Sequence, residues 1–119
     1  MINLDTHILV FALAGELREK ERDLLRNHSW GISGIVLWEL AKLVQLDRLQ
    51  LDLEDRFVRR TLGSVHVWPI DLDVANMSTK LDFQSDPADE LIAATSIVHE
   101  VPLLTRDDRI RQSKLVPFA

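Results

Sequence analysis

Residues 86–108 read DPADELIAATSIVHEVPLLTRDD, and this stretch contains the pattern of two structural elements. The first part predicts an α-helix, because Asp86 is a suitable N-cap and Pro87 fits the first helical position. The second part, VPLLT at 101–105, predicts a short buried strand that ends shortly before Asp107. A helix that leads at once into an apolar strand is typical of an α/β fold.

The same alternation extends over the rest of the chain. Predicted helices cover residues 6–14, 16–28, 34–46, 51–63, 71–81 and 86–100. Predicted strands cover residues 1–4, 30–33, 65–70, 101–105 and a last short segment at 115–116. Strands separated by helices predict a three-layer α/β/α sandwich with a mainly parallel sheet. Because no linker or repeat is visible, we expect a single domain spanning 1–119.

The helix predicted at 34–46, GIVLWELAKLVQL, is apolar on nearly all sides. Such a helix is expected to be mostly buried. Trp30, Trp38 and Trp68 fall in this helix or in predicted strands, so we expect them to pack in the core rather than to stack on bases.

Composition narrows the possible functions. The chain has no cysteine, which excludes thiolate nucleophiles, disulfides and cysteine-bound metals. A net charge of −5 argues against simple electrostatic binding of nucleic acid, unless bound metal neutralises some carboxylates. The sequence predicts neither a signal peptide nor a membrane span, so we expect a cytoplasmic protein with no membrane partner.

Four acids lie close to the predicted carboxyl ends of strands. Asp5 directly follows the first strand, and Asp107 follows VPLLT. Glu39 lies in the second turn of the helix after the second strand, and Asp89 lies in the first turn of the helix before VPLLT. Carboxyl ends of parallel strands and amino ends of their helices share one edge of the sheet. We therefore expect the four side chains to converge.

Each acid also has a simpler structural interpretation. Asp86 is explained well as a helix cap, and either Asp107 or Asp108 suits the cap of a short following segment. Glu39 also fits an exposed polar stripe on its helix. Capping explains Asp89 less well, because the residues at i+3, i+4 and i+7 are small or apolar and place it on an inward face.

Taken together, the acids predict a cation site. An acid such as Asp5 at the end of a buried strand needs a partner, either a metal or a helix N-terminus. Mg²⁺ and Mn²⁺ prefer oxygen ligands, and Mg²⁺ commonly bridges carboxylates and substrate phosphate. Such a site favours hydrolysis of a phosphodiester.

Four blocks of the sequence resemble the PIN domain, and within that family the VapC-like ribonuclease toxins. The first block is LDTHILVFAL at 4–13, and the second is SGIVLWELAKLVQLDRLQL at 33–51, which includes the Trp-Glu pair. The third and fourth are DPADELIAATS at 86–96 and LLTRDDRI at 103–110. The order of all four blocks is far more specific than any one of them.

The resemblance implies a Mg²⁺- or Mn²⁺-dependent endoribonuclease that cuts RNA, forms a homodimer and is held inactive by a cognate antitoxin. The implied metal-binding and catalytic acids are Asp5, Glu39, Asp89 and Asp107. The implied supporting residues, which would orient carboxylates or water, are Thr6, Ser33, Thr105 and Asp86. The implied contacts to the RNA backbone are Arg106 and Arg109.

One position departs from the family pattern, because Glu90 stands where relatives commonly carry a basic residue. The departure leaves the four acids unchanged and concerns contacts with substrate or antitoxin. Two other classes of protein also fit the sequence. The first is a PIN-like binding module with little or no nuclease activity. The second is a phosphoacceptor receiver-like domain, which fits worst because the expected arrangement of acids and lysine is missing.

Overall fold

Four short parallel strands form the central sheet of the computed structural model, which describes residues 1–119. The strands are β1 (Ile2–Leu4), β2 (Trp30–Ser33), β3 (His66–Trp68) and β4 (Leu103–Leu104). Their order across the sheet is β3-β2-β1-β4, so the first strand is central. Asn3 pairs with Gly31 on one side and with Leu103 on the other. The carboxyl ends of β1 and β4 therefore finish side by side.

Seven helices accompany the sheet. They are α1 (Thr6–Ala14), α2 (Glu19–Arg26), α3 (Gly34–Gln45), α4 (Arg56–Gly63), α5 (Leu72–Ser78), α6 (Pro87–His99) and α7 (Asp108–Arg111). Parallel strands need long crossovers, and these helices provide them. The arrangement confirms the predicted α/β/α architecture, with a sheet that is entirely parallel.

Local sequence fixes where the helices begin and end. The Asp5 carboxylate accepts a hydrogen bond from the first backbone N–H of α1, and the helix ends at Gly15, whose φ of 72° is left-handed. Asp86 caps α6 in the same way, with Pro87 at the first helical position. The predicted role of Asp86 as a cap is thereby confirmed.

A buried polar link ties the central strand to α6. Asn3 is fully buried among the apolar residues of the core. Its side-chain N–H group donates to the Ile92 carbonyl at 3.1 Å and to the Ser96 hydroxyl at 2.9 Å. Bonds of this kind in a dry interior are costly to break, so they fix the position of α6 over β1.

The carboxyl-terminal segment differs from the prediction. No strand forms at 115–116, because the Ser113 hydroxyl accepts bonds from the backbone of Leu115 and Val116 and turns the chain there. Pairing occurs slightly later, through a single parallel bridge between Leu103 and Phe118. The short helix α7 was not predicted.

The predicted burial of the helix at 34–46 is largely wrong. Only Val36 and Leu40 of α3 are fully buried, and Trp38 is 56% exposed. One face of α3 packs against the layer beneath it, and no further layer covers the opposite face. Trp68 lies in the core as expected, whereas Trp30 only packs against its margin.

Three helices are shorter than predicted, and one of them is α5, which covers Leu72–Ser78 rather than 71–81. Helix α2 covers Glu19–Arg26 rather than 16–28, and α4 begins at Arg56 after the cap Asp55 rather than at 51. No helix of the protein combines the length and the apolar character needed to cross a membrane.

Replacing Gly31 with alanine should destabilise the fold. A Cβ at this position would lie 2.4 Å from the buried ring of Trp68, and that ring stacks on His99. We expect a loss of about 1–3 kcal/mol in the free energy of unfolding, measured by urea denaturation. Gly63→Ala is the control, since nothing lies within 4 Å of its added Cβ. Equal stability of Gly31→Ala and wild type would contradict the proposed close packing.

Candidate metal centre

The carboxyl-terminal edge of the sheet brings together residues from four parts of the chain. Asp5 follows β1 and Thr105 follows β4, and these strands are neighbours. Helix α3 begins directly after β2, with Ser33 as its cap. The cap of α6, Asp86, lies on the same side, close enough to repel the carboxylate of Glu39.

Asp5 lies at the centre of this edge. Only 4% of the residue is exposed. One carboxylate oxygen accepts from the Thr6 backbone N–H at 2.7 Å, and the other accepts from the Thr105 hydroxyl at 2.6 Å. Burial raises the pKa of Asp5 above its ordinary value, although these two donors oppose the shift.

Glu39 is joined to Asp5 through a threonine. The Thr6 hydroxyl donates to the Glu39 carboxylate, while the Thr6 backbone N–H donates to Asp5. Glu39 is half-buried, and burial raises its pKa despite the Thr6 bond, with repulsion from Asp86 and Asp5 adding to the rise. Glu39 therefore lies toward the other acids and not on an exposed polar stripe.

Asp107 is joined to Asp5 through a second threonine. The Thr105 hydroxyl accepts from the Asp107 backbone N–H at 3.0 Å while it donates to Asp5. The Asp107 carboxylate caps α7 by accepting from the backbone of Arg109 at 2.8 Å and Ile110 at 3.2 Å. Asp107, not Asp108, is thus the cap of that segment.

Asp89 completes the set from α6. Its backbone N–H donates to the Asp86 cap at 2.9 Å, and its carboxylate accepts from the Ser85 hydroxyl at 2.7 Å. Burial raises the pKa of Asp89 to about 6; repulsion from Asp86, Asp5 and Asp107 adds to the rise and the Ser85 bond opposes it. This repulsion means that Asp89 lies near the other acids.

The contact between Ser85 and Asp89 was not predicted from the sequence. Ser85 holds the Asp89 carboxylate, and the Ser85 backbone N–H in turn donates to Glu90 at 3.3 Å. The acid that departs from the family pattern therefore supports the serine. The available signal was weak, because a serine before a helix cap is a common turn residue.

Two of the four supporting residues act mainly through helix caps. The Ser33 hydroxyl accepts from the Ile35 backbone at 3.3 Å and bonds to none of the acids. Asp86 likewise caps α6. Each fixes the start of a helix that carries one acid, Glu39 or Asp89.

No lysine or arginine neutralises the four acids. None of the three ion pairs of the protein includes any of them. Arg106, a predicted RNA contact, donates instead to both carboxylate oxygens of Glu21, at 2.8 and 2.6 Å, and stacks over the Phe11 ring at 4.0 Å. The Arg106 guanidinium is therefore paired with another side chain of the protein, whereas Arg109 is exposed and forms no ion pair.

The donor set has the chemistry of a site for a hard divalent cation. All four side chains offer oxygen, and the buried negative charge has no counter-charge from lysine or arginine. As the side chains stand, no three His, Asp or Glu residues are placed to hold one ion. Each of the four carboxylates accepts hydrogen bonds from a hydroxyl or a backbone N–H instead.

The protein therefore belongs to the class of α/β/α sandwiches with an all-parallel sheet and carboxylates at one edge of that sheet. Its family follows from the sequence, since residues 2–114 match the PIN domain. The chain belongs to the PIN-domain family. A search of curated proteins gives no match.

Three solved structures with the same fold are similar to this chain over most of its length. VapBC2 from Rickettsia felis, bound to a DNA fragment from the promoter, has a TM-score of 0.76 at 19% identity and covers 100% of this chain and 98% of its own. FitAcB from Neisseria gonorrhoeae has a TM-score of 0.70 at 22% identity, covering 100% and 97%. A toxin–antitoxin complex from Klebsiella pneumoniae has a TM-score of 0.68 at 23% identity, covering 90% and 87%.

Neutralising Asp89 should stabilise the metal-free protein in a pH-dependent way. The raised pKa means that the folded state resists ionisation more than the unfolded state does. Wild-type stability should therefore fall as pH rises from about 4 to about 6, and the penalty should persist above that range. Asp89→Asn removes the penalty and keeps an acceptor for Ser85.

Thermal unfolding in EDTA tests the predicted direction of this pH dependence of stability. The melting temperature of Asp89→Asn should exceed that of wild type at about pH 8, and the difference should shrink at about pH 4. Asp73→Asn, at an exposed position in the first turn of α5, is the matched control. A difference that is independent of pH would contradict the proposed electrostatic origin.

Proposed function

We propose that this chain is a Mg²⁺- or Mn²⁺-dependent endoribonuclease that hydrolyses phosphodiester bonds and serves as the toxin of a toxin–antitoxin pair. The observation that carries the proposal is a continuous hydrogen-bonded line. It runs through Glu39, Thr6, Asp5, Thr105 and Asp107. Asp89 faces this line from α6, close enough to repel two of its acids.

In this proposal Asp5, Glu39, Asp89 and Asp107 hold the cation. A bound divalent cation would supply an activated water and neutralise the charge that develops on the phosphoryl oxygen. A bound cation would offset unfavourable electrostatics at this site, since burial and mutual repulsion raise the pKa of Asp5, Glu39 and Asp89. Metal binding should strengthen as pH rises through about 6, where Asp89 loses its proton.

Hydroxyl groups of the protein orient the carboxylates of the proposed site. Thr6 donates to the carboxylates of Asp5 and Glu39, and Thr105 donates to the Asp5 carboxylate, so the two threonines orient the Asp5 and Glu39 carboxylates. Ser85 does the same for Asp89. Supports of this kind reduce the reorganisation needed when ligand and substrate bind.

The RNA backbone contact is assigned to Arg109. It is exposed and lies two residues after Asp107, so its charge is available for a phosphate. The other predicted contact, Arg106, keeps a supporting role because its donors bind Glu21. It would hold the segment between Thr105 and α7 in place.

The proposed partners are a cognate antitoxin and a second copy of the chain. Several large apolar side chains are exposed, among them Leu37 on α3 and Leu72 on α5. Exposed apolar patches favour protein interfaces. The fold is also that of the toxin–antitoxin complex from Klebsiella pneumoniae, which supports an antitoxin as one partner.

A second candidate function is a PIN-like binding module without nuclease activity. One observation favours it: no three acids are placed to hold one ion as the side chains stand. In that case the acids would serve as helix caps and as acceptors for threonine. Metal binding by the purified chain separates the two functions.

Replacing Asp5 with asparagine should abolish metal-dependent RNA cleavage while the fold survives. Asparagine is a good N-cap, so α1 should remain intact. We expect a loss of about a hundredfold or more, since even outer partners of metal ligands contribute roughly 10–100-fold. The measurement is the cleavage rate of total RNA in Mg²⁺ and Mn²⁺, with circular dichroism to verify folding.

Asp55→Asn is the matched control, because Asp55 caps α4 and is not among the four acids. This variant should cleave RNA like wild type. Equal cleavage by wild type and Asp5→Asn would attribute the activity to a contaminant and overturn the proposal.

Calorimetric titration with Mn²⁺ should give saturable binding to wild type and much weaker binding to Asp89→Asn. The reason is that Asp89 supplies a ligand oxygen that the amide replaces poorly. If the folded wild-type chain takes up no Mn²⁺, the binding-module function is supported instead.

A further inference from the structure

A cavity of about 460 Å³ lies beside Glu39, where the amino-terminal parts of α3 and α6 approach each other. It is lined by Ile35, Trp38, Glu39, Asp86, Pro87 and Ala88. We refer to it as the Trp38 cavity. Glu39 borders both the cavity and the line of bonded acids. A molecule in the cavity would therefore lie beside the proposed cation site, and the volume is in the range of small-ligand sites.

The tryptophan is available to a ligand. It is 56% exposed, and the core contacts of α3 are made by Val36 and Leu40. Lys42 lies one turn further along the same helix, with its ammonium group 5.7 Å from the centre of the Trp38 ring. The surface thus combines an open aromatic ring with a nearby positive charge.

We propose that the Trp38 cavity is a nucleobase subsite for single-stranded RNA. A base next to the scissile phosphate stacks on Trp38, and Lys42 attracts the phosphate that accompanies it. Stacking of bases on aromatic side chains beside basic residues is the usual mode of binding to single strands. This subsite rests on the proposed function, because it identifies how the substrate of that reaction is held.

The rim of the cavity favours a base over an apolar protein surface. Glu39 and Asp86 place two carboxylates at its edge, and a dry protein interface would bury them at considerable cost. Asp86 uses one oxygen to cap α6, and its second oxygen has no hydrogen-bond partner in the protein. The amino and imino N–H groups of bases are suitable donors to that oxygen. The ring supplies stacking, and the rim supplies acceptors.

The test compares RNA with and without bases. The affinities of short oligoadenylate and of a fully abasic ribose-phosphate chain of equal length are measured by fluorescence anisotropy, in EDTA and in Ca²⁺. Trp38→Ala should weaken binding of oligoadenylate by roughly 5- to 100-fold and leave the abasic chain unaffected. Trp38→Phe should retain most of the affinity, because its ring can still stack.

Phe57→Ala is the matched control. Phe57 is 64% exposed on α4 and does not line the Trp38 cavity. This variant should bind both chains like wild type. In cleavage assays, Trp38→Ala should raise KM and alter the choice of cleavage sites more than it lowers kcat.

Several outcomes would overturn the subsite. These are equal affinity of Trp38→Ala and wild type for oligoadenylate, an equal loss for the abasic chain, and no binding of oligoadenylate by wild type under either condition. A change in oligomeric state with unchanged RNA affinity, measured by sedimentation, would instead assign the ring to an interface between copies. Failure of the proposed function is a separate result, seen as absence of wild-type cleavage in Mg²⁺ and Mn²⁺ while stacking is still detected.

Discussion

Asp5 places a carboxylate at the end of the central strand, where only 4% of the residue is exposed to water. A buried charge of this kind is costly unless it is paired or well bonded. The parallel pairing of β1 with β4 brings the Thr105 hydroxyl to one carboxylate oxygen, and the start of α1 brings the Thr6 N–H to the other. Strand order, helix start and acid are therefore mutually dependent, and displacing any one of them would leave Asp5 without a donor.

Capping and metal binding are compatible roles for these acids. A cap accepts hydrogen bonds from backbone N–H groups through one oxygen and leaves further lone pairs free. Asp107 caps α7 entirely through one oxygen, which leaves its second oxygen available. Asp86 serves the start of α6, and that start directs Asp89 toward the other acids. The helix starts thus hold the carboxylates in place and leave some of their oxygen lone pairs free to bind a cation.

Much of the fold and the candidate site could be predicted from the sequence because each signal is local. Apolar runs bounded by acids and glycine indicate strands and helices, and strand ends indicate an edge where side chains meet. The support from Ser85 and the pairing of Arg106 with Glu21 could not be predicted, since they depend on tertiary placement. The burial of α3 was misjudged for a related reason. The apolar residues of a helix show which of its faces could be buried. Which faces are buried depends on how many layers of the fold pack against the helix.

The exposed face of α3 has a consequence for the candidate site. Successive residues of a helix point about 100° apart, so Trp38 and Glu39 cannot both face the core. Glu39 is held toward the acids by Thr6, and Leu40 packs inward. Trp38 must then lie at the rim of the site, in water, unless something covers it. The ring adds little to the packing of α3, whose core contacts are made by Val36 and Leu40. In the proposed subsite, the same exposure leaves the ring free to stack on a base.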